Sequence, residues 1–233
     1  MAVIKYLANL GYGSRRNVAA LVAARRVTRL DGTPVRDGDH AAHGELLVDG
    51  MPLDPVPGAL IMLHKPLGYV CSTKDVPPLV YDLLPARFLQ RTPVMAPVGR
   101  LDRDTSGLLL LTDDGVLNHR LTSPRSHVAK TYRALLAAPL HGDETDRFSS
   151  GTLLLTGETT PLAPATLVVE AERTARLTVT EGRYHQVRRM FAAVGNHVIA
   201  LQRIAIGALE LSDLTEGSWR EVTHDERTLL HAP

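Results

Sequence analysis

The run G-R-L-D-R-D-T-S-G-L-L-L-L-T-D-D-G, residues 99–115, decides how this chain is read. Four consecutive leucines closed by Thr112 are too short to span a membrane and carry no helical period, so they predict a strand buried on both faces. A buried strand cannot drift, and the loop that enters it is a firm mount for a reactive side chain. Asp102 and Asp104 are the candidates on that loop. Arg100 and Arg103 flank Asp102 and favour its ionised form if either lies near, which suits a nucleophile better than an acid. An aspartate among Gly, Thr and Ser is also ordinary turn chemistry. Asp113 and Asp114 take that reading: a turn before Gly115, with one of them capping the helix that follows.

Upstream, V-M-A-P-V (94–98) predicts the strand that leads into this run. A-L-I-M-L-H (59–64) and G-Y-V-C-S-T (68–73) predict strands around a K-P-L-G turn, and L-V-Y-D-L-L (79–84) a short helix. Downstream, Val116–Leu121 predicts a helix closed by Ser123-Pro124, K-T-Y-R-A-L-L (130–136) a strand, and Thr145–Ser150 a helix. Three further strand-like runs end at Thr180. In R-Y-H-Q-V-R-R-M-F (183–191) and beyond, Val187, Met190, Phe191 and Val194 recur at helical spacing, with Gly195 placed as a C-cap. Arg188 and Arg189 fall off that apolar stripe. No acid lies between Arg183 and Leu209, so these arginines need a carboxylate from another segment, or phosphate.

Toward the N-terminus the chain changes character at P-L-D-P-V-P-G (52–58), where three prolines in seven residues exclude a helix or central strand. This divides the protein into residues 1–54, a linker at 55–58, and residues 59–233. The first part predicts a helix from Val3 to Leu10 ended by Gly11–Gly13, and a second over Arg15–Arg26 capped by Ser14. A hairpin turning at Asp31-Gly32 follows, and then E-L-L-V-D-G-M-P-L. Residues 1–36 hold seven basic side chains, among them Arg15, Arg16, Arg25 and Arg26, against Asp31 alone, while residues 37–54 hold five acids and no Lys or Arg. A basic patch of that density is the footprint of a polyanion partner, or else a solvated helix face.

Composition removes several chemistries. Ten scattered histidines and the lone Cys71 offer neither a disulfide nor H-E-x-x-H or cysteine-pair zinc spacing. There is no G-x-x-x-x-G-K-[ST] loop, no strand followed by G-x-G-x-x-G, and no G-x-S-x-G elbow. The 44% hydrophobic content fills a core that is mostly aliphatic. Without a signal peptide or long apolar run, a cytoplasmic protein with no membrane contact is the expectation.

Taken together, residues 99–115, then S-P-R and K-T-Y, then E-G-R-Y-H-Q-V-R-R-M-F resemble the signature motifs of bacterial RNA pseudouridine synthases, over about residues 60–220. K-P-L-G-Y-V-C-S-T and R-Y-H-Q resemble the RsuA branch, which modifies a uridine of small-subunit ribosomal RNA. Residues 1–54 resemble the small RNA-binding module of small-subunit ribosomal protein four, with one extra residue near Arg29 and Leu30. The resemblance implies an α+β protein: that module, then a catalytic domain on a mixed, largely antiparallel sheet. It implies a monomer that isomerises uridine to pseudouridine without a cofactor, on ribosomal RNA or an assembling ribonucleoprotein. Asp102 would be the nucleophile, Tyr132 would stack on the base and take the proton from its carbon five, and Arg188 would pair with Asp102. Arg100 would fill space or meet phosphate; Arg125, Lys130, Arg183 and Arg189 would meet phosphate, as would the N-terminal arginines. Ile206 would line the pocket, although it reads equally as core. The rival readings are a large-subunit target, a non-catalytic RNA-binding or assembly factor, and a glycosidic hydrolase using Asp104 as its second carboxylate.

Overall fold

The computed structural model describes residues 1–72, 75–76 and 78–230. Its first part contains α1 (Val3–Asn9), α2 (Arg15–Ala23) and a three-stranded antiparallel sheet of β1 (Val27–Arg29), β2 (Leu46–Val48) and β3 (Met51–Pro52). Ser14 caps α2 as its sequence predicts, accepting from Asn17 N at 3.2 Å. The hairpin at Asp31-Gly32 forms, with Arg29 N donating to Thr33 O at 2.8 Å and Val35 N to Val27 O at 3.0 Å around the Thr28–Pro34 bridge, while β1 also ladders with β2. Val3, Leu7, Leu10, Val18 and Val22 pack on Val27, Leu46 and Val48 to give this part a core of its own.

A nine-stranded sheet forms the rest. Its strands are β4 (Leu60–Lys65), β5 (Ala96–Pro97), β6 (Thr105–Thr112), β7 (Lys130–Leu136), β8 (Thr166–Ala171), β9 (Thr174–Val179), β10 (Val198–Ile206), β11 (Leu209–Glu210) and β12 (Trp219–Glu221). The order across it is β12-β4-β6-β10-β7-β9-β8, with β5 on β6 and β11 on β10. Only the β6–β10 pair is parallel, so the sheet is mixed and largely antiparallel. Four helices accompany it: α3 (Gly115–Thr122), α4 (Glu144–Ser149), α5 (Gln186–Ala193) and α6 (His224–Leu229).

The leucines of β6 do what their pattern requires. Leu109 and Leu111 join Ile61, Leu63, Phe88 and Met95 on one face, while Leu108 and Leu110 join Leu60, Met62, Leu117 and Leu121 on the other. Alternate side chains of a strand point to opposite faces, so four in a row serve two cores at once. Each fully buried leucine contributes about 1.5–3 kcal/mol. A third cluster joins β7, β9 and β10 to α4 and α5 through Phe148, Met190 and Phe191.

Several local expectations shift. The run 68–72 is not a ladder strand; Val70 makes one bridge, to Leu79, and Thr73 lies outside the described residues. Residues 79–84 form a single 3₁₀ turn, Val80–Leu83. Of the three strand-like runs before Thr180, two are strands, β8 and β9; in the apolar run near 153–155, Leu155 is buried but the backbone is a loop.

The proline-rich stretch is strapped down rather than hanging free. Arg91 reaches Asp113 Oδ2 at 2.6 Å and Val56 O at 3.3 Å, and Gly58 N donates to Asp113 Oδ1 at 2.8 Å. Arg87 pairs with Asp54 and lies over the Tyr12 ring. A Cβ at Gly11 would sit 2.1 Å from Arg87 O, so the turn after α1 meets the sheet domain backbone to backbone. Proline forbids ladder hydrogen bonds without forbidding docking. Among the described residues no helix is long and apolar enough to cross a membrane.

Candidate active site

The loop before β6 is held at both ends. Thr105 N donates to Asp102 O at 3.1 Å, closing a turn over Arg103 and Asp104. Against it lies the K-P-L-G turn: Gly68 N donates to Arg103 O at 2.7 Å, and Arg103 Nε returns a bond to Gly68 O at 3.1 Å. Lys65 is fully buried, and its Nζ donates to Thr105 O at 2.8 Å and Pro66 O at 2.9 Å. Burial lowers the Lys65 pKa, with the nearby Cys71, Asp104 and Asp102 opposing that shift. Arg103 is thus a loop clamp rather than a partner of Asp102.

Asp102 opens onto a cleft of about 490 Å³ whose lining includes Arg100, Thr105, Lys130, Tyr132, Arg188, Arg203 and Ile206. The side-chain nitrogen paired with it is that of His185, with Nε2 3.4 Å from Oδ1. His185 stands at the N-terminus of α5 with a left-handed backbone, φ 48°, and its ring stacks on Tyr184 at 3.9 Å between centroids. Asp104, two residues on, faces away from the cleft. Arg188 Nη2 bonds its carbonyl at 2.8 Å and its carboxylate at 3.0 Å, while Nη1 donates to Val198 O at 3.0 Å. The expected Arg188–Asp102 pair is therefore replaced by Arg188–Asp104, because the guanidinium is anchored on the carbonyls of Asp104 and Val198 and meets the carboxylate beside them. Arg188 still lines the cleft, and its buried Nε has no partner among the described residues.

The sheet supplies the floor. Tyr132 lies directly opposite Arg203 in the β7–β10 ladder, and Lys130 opposite Ile206. Tyr132 packs against two of the hydrophobic clusters, which fixes its ring. Across the parallel pair, Arg203 faces Gly107. At Gly107, φ is +108° and a Cβ would lie 2.2 Å from Arg203 O, so only glycine lets β10 come this close. Arg203 Nε donates to Leu108 O at 2.7 Å.

The acid-free stretch after Arg183 finds its carboxylates elsewhere. Arg189 reaches Glu158 at 2.8 Å and the carbonyls of Thr156 and Tyr184; Arg183 reaches Glu158, Glu181 and the carbonyls of Thr160 and Pro161. Both arginines staple the 156–161 loop over α5, which leaves them few donors for phosphate. Arg189 does not line the cleft, nor does Arg125, which is exposed beside Pro124. In the N-terminal part Arg15, Arg16 and Arg25 are exposed, and Arg26 holds Asp49 with two bonds of 2.7 Å.

Sequence reasoning passed over Lys65, Thr105, His185 and Arg203. The signal for Arg203 was present: in V-I-A-L-Q-R-I-A-I it shares strand parity with the buried Leu201, so alternation points a charge inward. Lys65 likewise closes an apolar strand. His185 gave no such signal, since its approach to Asp102 needs the whole fold. Among the described residues no three His, Cys, Asp or Glu side chains are grouped as a metal site.

Comparison with known proteins places the chain among RNA-modifying enzymes. The family described as RNA pseudouridylate synthase matches residues 59–193. The chain is 43% identical to the ribosomal small subunit pseudouridine synthase A of Yersinia pestis, over 100% of this chain and 99% of that protein. It is 40% identical to the uncharacterized RNA pseudouridine synthase YtzG of Bacillus subtilis, over 100% and 99% of the two chains. A solved pseudouridylate synthase superposes with a TM-score of 0.69 at 36% identity, covering 97% of this chain and 98% of its own. Matched over most of its length by the family and end to end by these relatives, the chain belongs to the RNA pseudouridine synthase family.

Proposed function

We propose that this protein converts one uridine of small-subunit ribosomal RNA to pseudouridine, as a cytoplasmic monomer, with Asp102 as nucleophile and no cofactor. The observation that carries the reading is Asp102 itself: its loop is clamped at both ends, and the carboxylate opens onto the cleft that Tyr132 also lines, where its one ion-pair contact among the described residues is His185 at 3.4 Å. Its lone pairs are left for a substrate. The small-subunit target rests on relatives named for that activity, matched end to end.

In the reaction Asp102 assists departure of uracil from the ribose, either by adding to the sugar or by stabilising a glycal route. Uracil turns in the cleft and rejoins through carbon five. Holding the detached base beside the sugar makes the second bond effectively intramolecular. Tyr132 stacks on the base and takes the proton from carbon five. Arg188 acts on Asp102 through the loop it holds at Asp104. Flipping the base costs a few kcal/mol and stacking on one aromatic returns about 1–3, so phosphate contacts must supply the surplus. Arg15, Arg16 and Arg25, on a module resembling ribosomal protein four, are exposed for that role, and Arg100 and Arg125 stand near the cleft. Arg183 and Arg189 contribute by shaping the rim.

A hydrolase using two carboxylates is disfavoured by Asp104, which faces Arg188 rather than the cleft. A pure RNA-binding factor gains little from an ionised aspartate where phosphate must approach.

The test is carbodiimide-dependent reverse-transcription mapping of ribosomal RNA from cells with the gene, without it, and with Asp102→Asn. One small-subunit stop should vanish on deletion and not return with the variant. Restoration by Asp102→Asn would refute the nucleophile, a lost large-subunit stop would move the target, and free uracil in place of pseudouridine would mark a hydrolase.

A further inference from the structure

Four buried side-chain nitrogen or oxygen atoms among the described residues have no hydrogen-bond partner: Arg91 Nη1, Thr105 Oγ1, Arg188 Nε and Arg203 Nη2. Three of the four belong to residues that line the cleft. Buried donors are rarely left unsatisfied in a folded protein, and each exception asks for a reason. Arg203 is the most demanding, because its guanidinium is 3% exposed and forms no ion pair among the described residues. Lys130 has no carboxylate partner there either. Desolvation pushes the Lys130 pKa down, and the charge of Arg203 adds to that shift. Arg183, Arg188 and Arg189 each pair with an acid, whereas the two cations of the floor have none among the described residues.

The sheet register brings these groups together. Residues directly opposite on an antiparallel ladder share a face, as do residues two apart on one strand. Tyr132 opposes Arg203, and Lys130 lies two residues from Tyr132, so all three project from one face into the cleft that also holds Asp102. Gly107 is what lets the Arg203 backbone reach this depth.

We propose that Arg203, supported by Lys130, is a catalytic residue that binds the oxygens of the detached uracil and stabilises the negative charge it carries. This rests on the isomerase reading above. When the bond between C1′ and N1 breaks, both electrons leave with the base, and the ring anion spreads them over N1, O2 and O4. The anion is transient: carbon five bonds to C1′, the proton on carbon five departs, and N1 takes up a proton, so the net change is isomerisation. A cation fixed in a dry site stabilises such charge without reorganising, and one donor of this kind is worth about 100- to 1000-fold in rate. The flat base, stacked on Tyr132, reaches the floor; a backbone phosphate at the rim does not.

The experiment compares wild type, Arg203→Gln and Lys130→Gln on one transcript carrying uridine or 5-fluorouridine at the target position. It reads single-turnover cleavage of the glycosidic bond, RNA Kd at several salt concentrations, and the thermal midpoint. The 5-fluorouracil anion is intrinsically more stable and needs less help. Arg203→Gln should slow the uridine reaction about 100-fold, with unchanged Kd and salt slope, and the loss should shrink about tenfold or more with 5-fluorouridine. Lys130→Gln should show the same pattern at smaller size, and it carries the test if Arg203→Gln lowers the midpoint. Equal losses on both substrates would overturn the inference, as would a weaker Kd with a shallower salt slope, which marks a phosphate contact. Wild type inert on uridine would overturn the functional reading instead.

Discussion

The two ends of β6 each carry two aspartates, and they do opposite things. At the C-terminal end Asp113 is buried and fully engaged, by Arg91 and by Gly58 N, and Asp114 caps α3 by accepting from Val116 N at 2.9 Å and Leu117 N at 3.0 Å. At the N-terminal end Asp104 is taken by Arg188, while Asp102 meets, among the described residues, only a histidine nitrogen at 3.4 Å. A carboxylate whose acceptor capacity is filled by the protein holds structure together; one left unfilled in a cleft is available to a substrate. The same strand supports both, since it is rigid at either end.

That contrast can be broken residue by residue. Asp102→Asn should cut single-turnover product formation at least about 1000-fold, an activation difference of about 4 kcal/mol, while the urea midpoint stays within error. A variant that unfolded would place Asp102 with the structural group. Asp113→Ala should cost about 3–5 kcal/mol in urea unfolding, because it strands the Arg91 charge in a site where both side chains are almost wholly buried. Asp104→Asn removes one charged partner of Arg188 and leaves the carbonyl contact. About a tenfold loss in kcat with little change in stability is expected, and full activity would show that the loop needs only its backbone clamps. Asp114→Ala should be the mildest, about 1 kcal/mol for a lost N-cap, with kcat unchanged.

The rim and the N-terminal module carry a parallel lesson. Arg26 and Asp49 form a well-shaped but half-exposed pair, and such pairs contribute little to stability. Arg183 and Arg189 look equally generic in sequence, yet both converge on Glu158 and pin a loop against α5. Sequence spacing could not reveal this, because Glu158 lies 25 and 31 residues away across two strands and a turn. The acid-free stretch correctly signalled that partners must come from elsewhere. Which partners they were depended on how the 156–161 loop folds back.

Local pattern by itself determined the buried strand at 108–111, the capping role of Ser14, a cap from one of Asp113 and Asp114, the packed stripe of α5 and the candidacy of Asp102. These rest on side-chain alternation, helical periodicity and capping chemistry, all of which act within a few residues. Only the tertiary structure decided that Arg188 holds Asp104 rather than Asp102, that His185 approaches Asp102, and that Arg203 reaches the cleft floor without an acid among the described residues. Those facts follow from strand order and register, which bring β6, β7 and β10 side by side from positions about thirty to a hundred residues apart. Charge partners are set by distance in space, and distance in space is fixed only when the sheet closes.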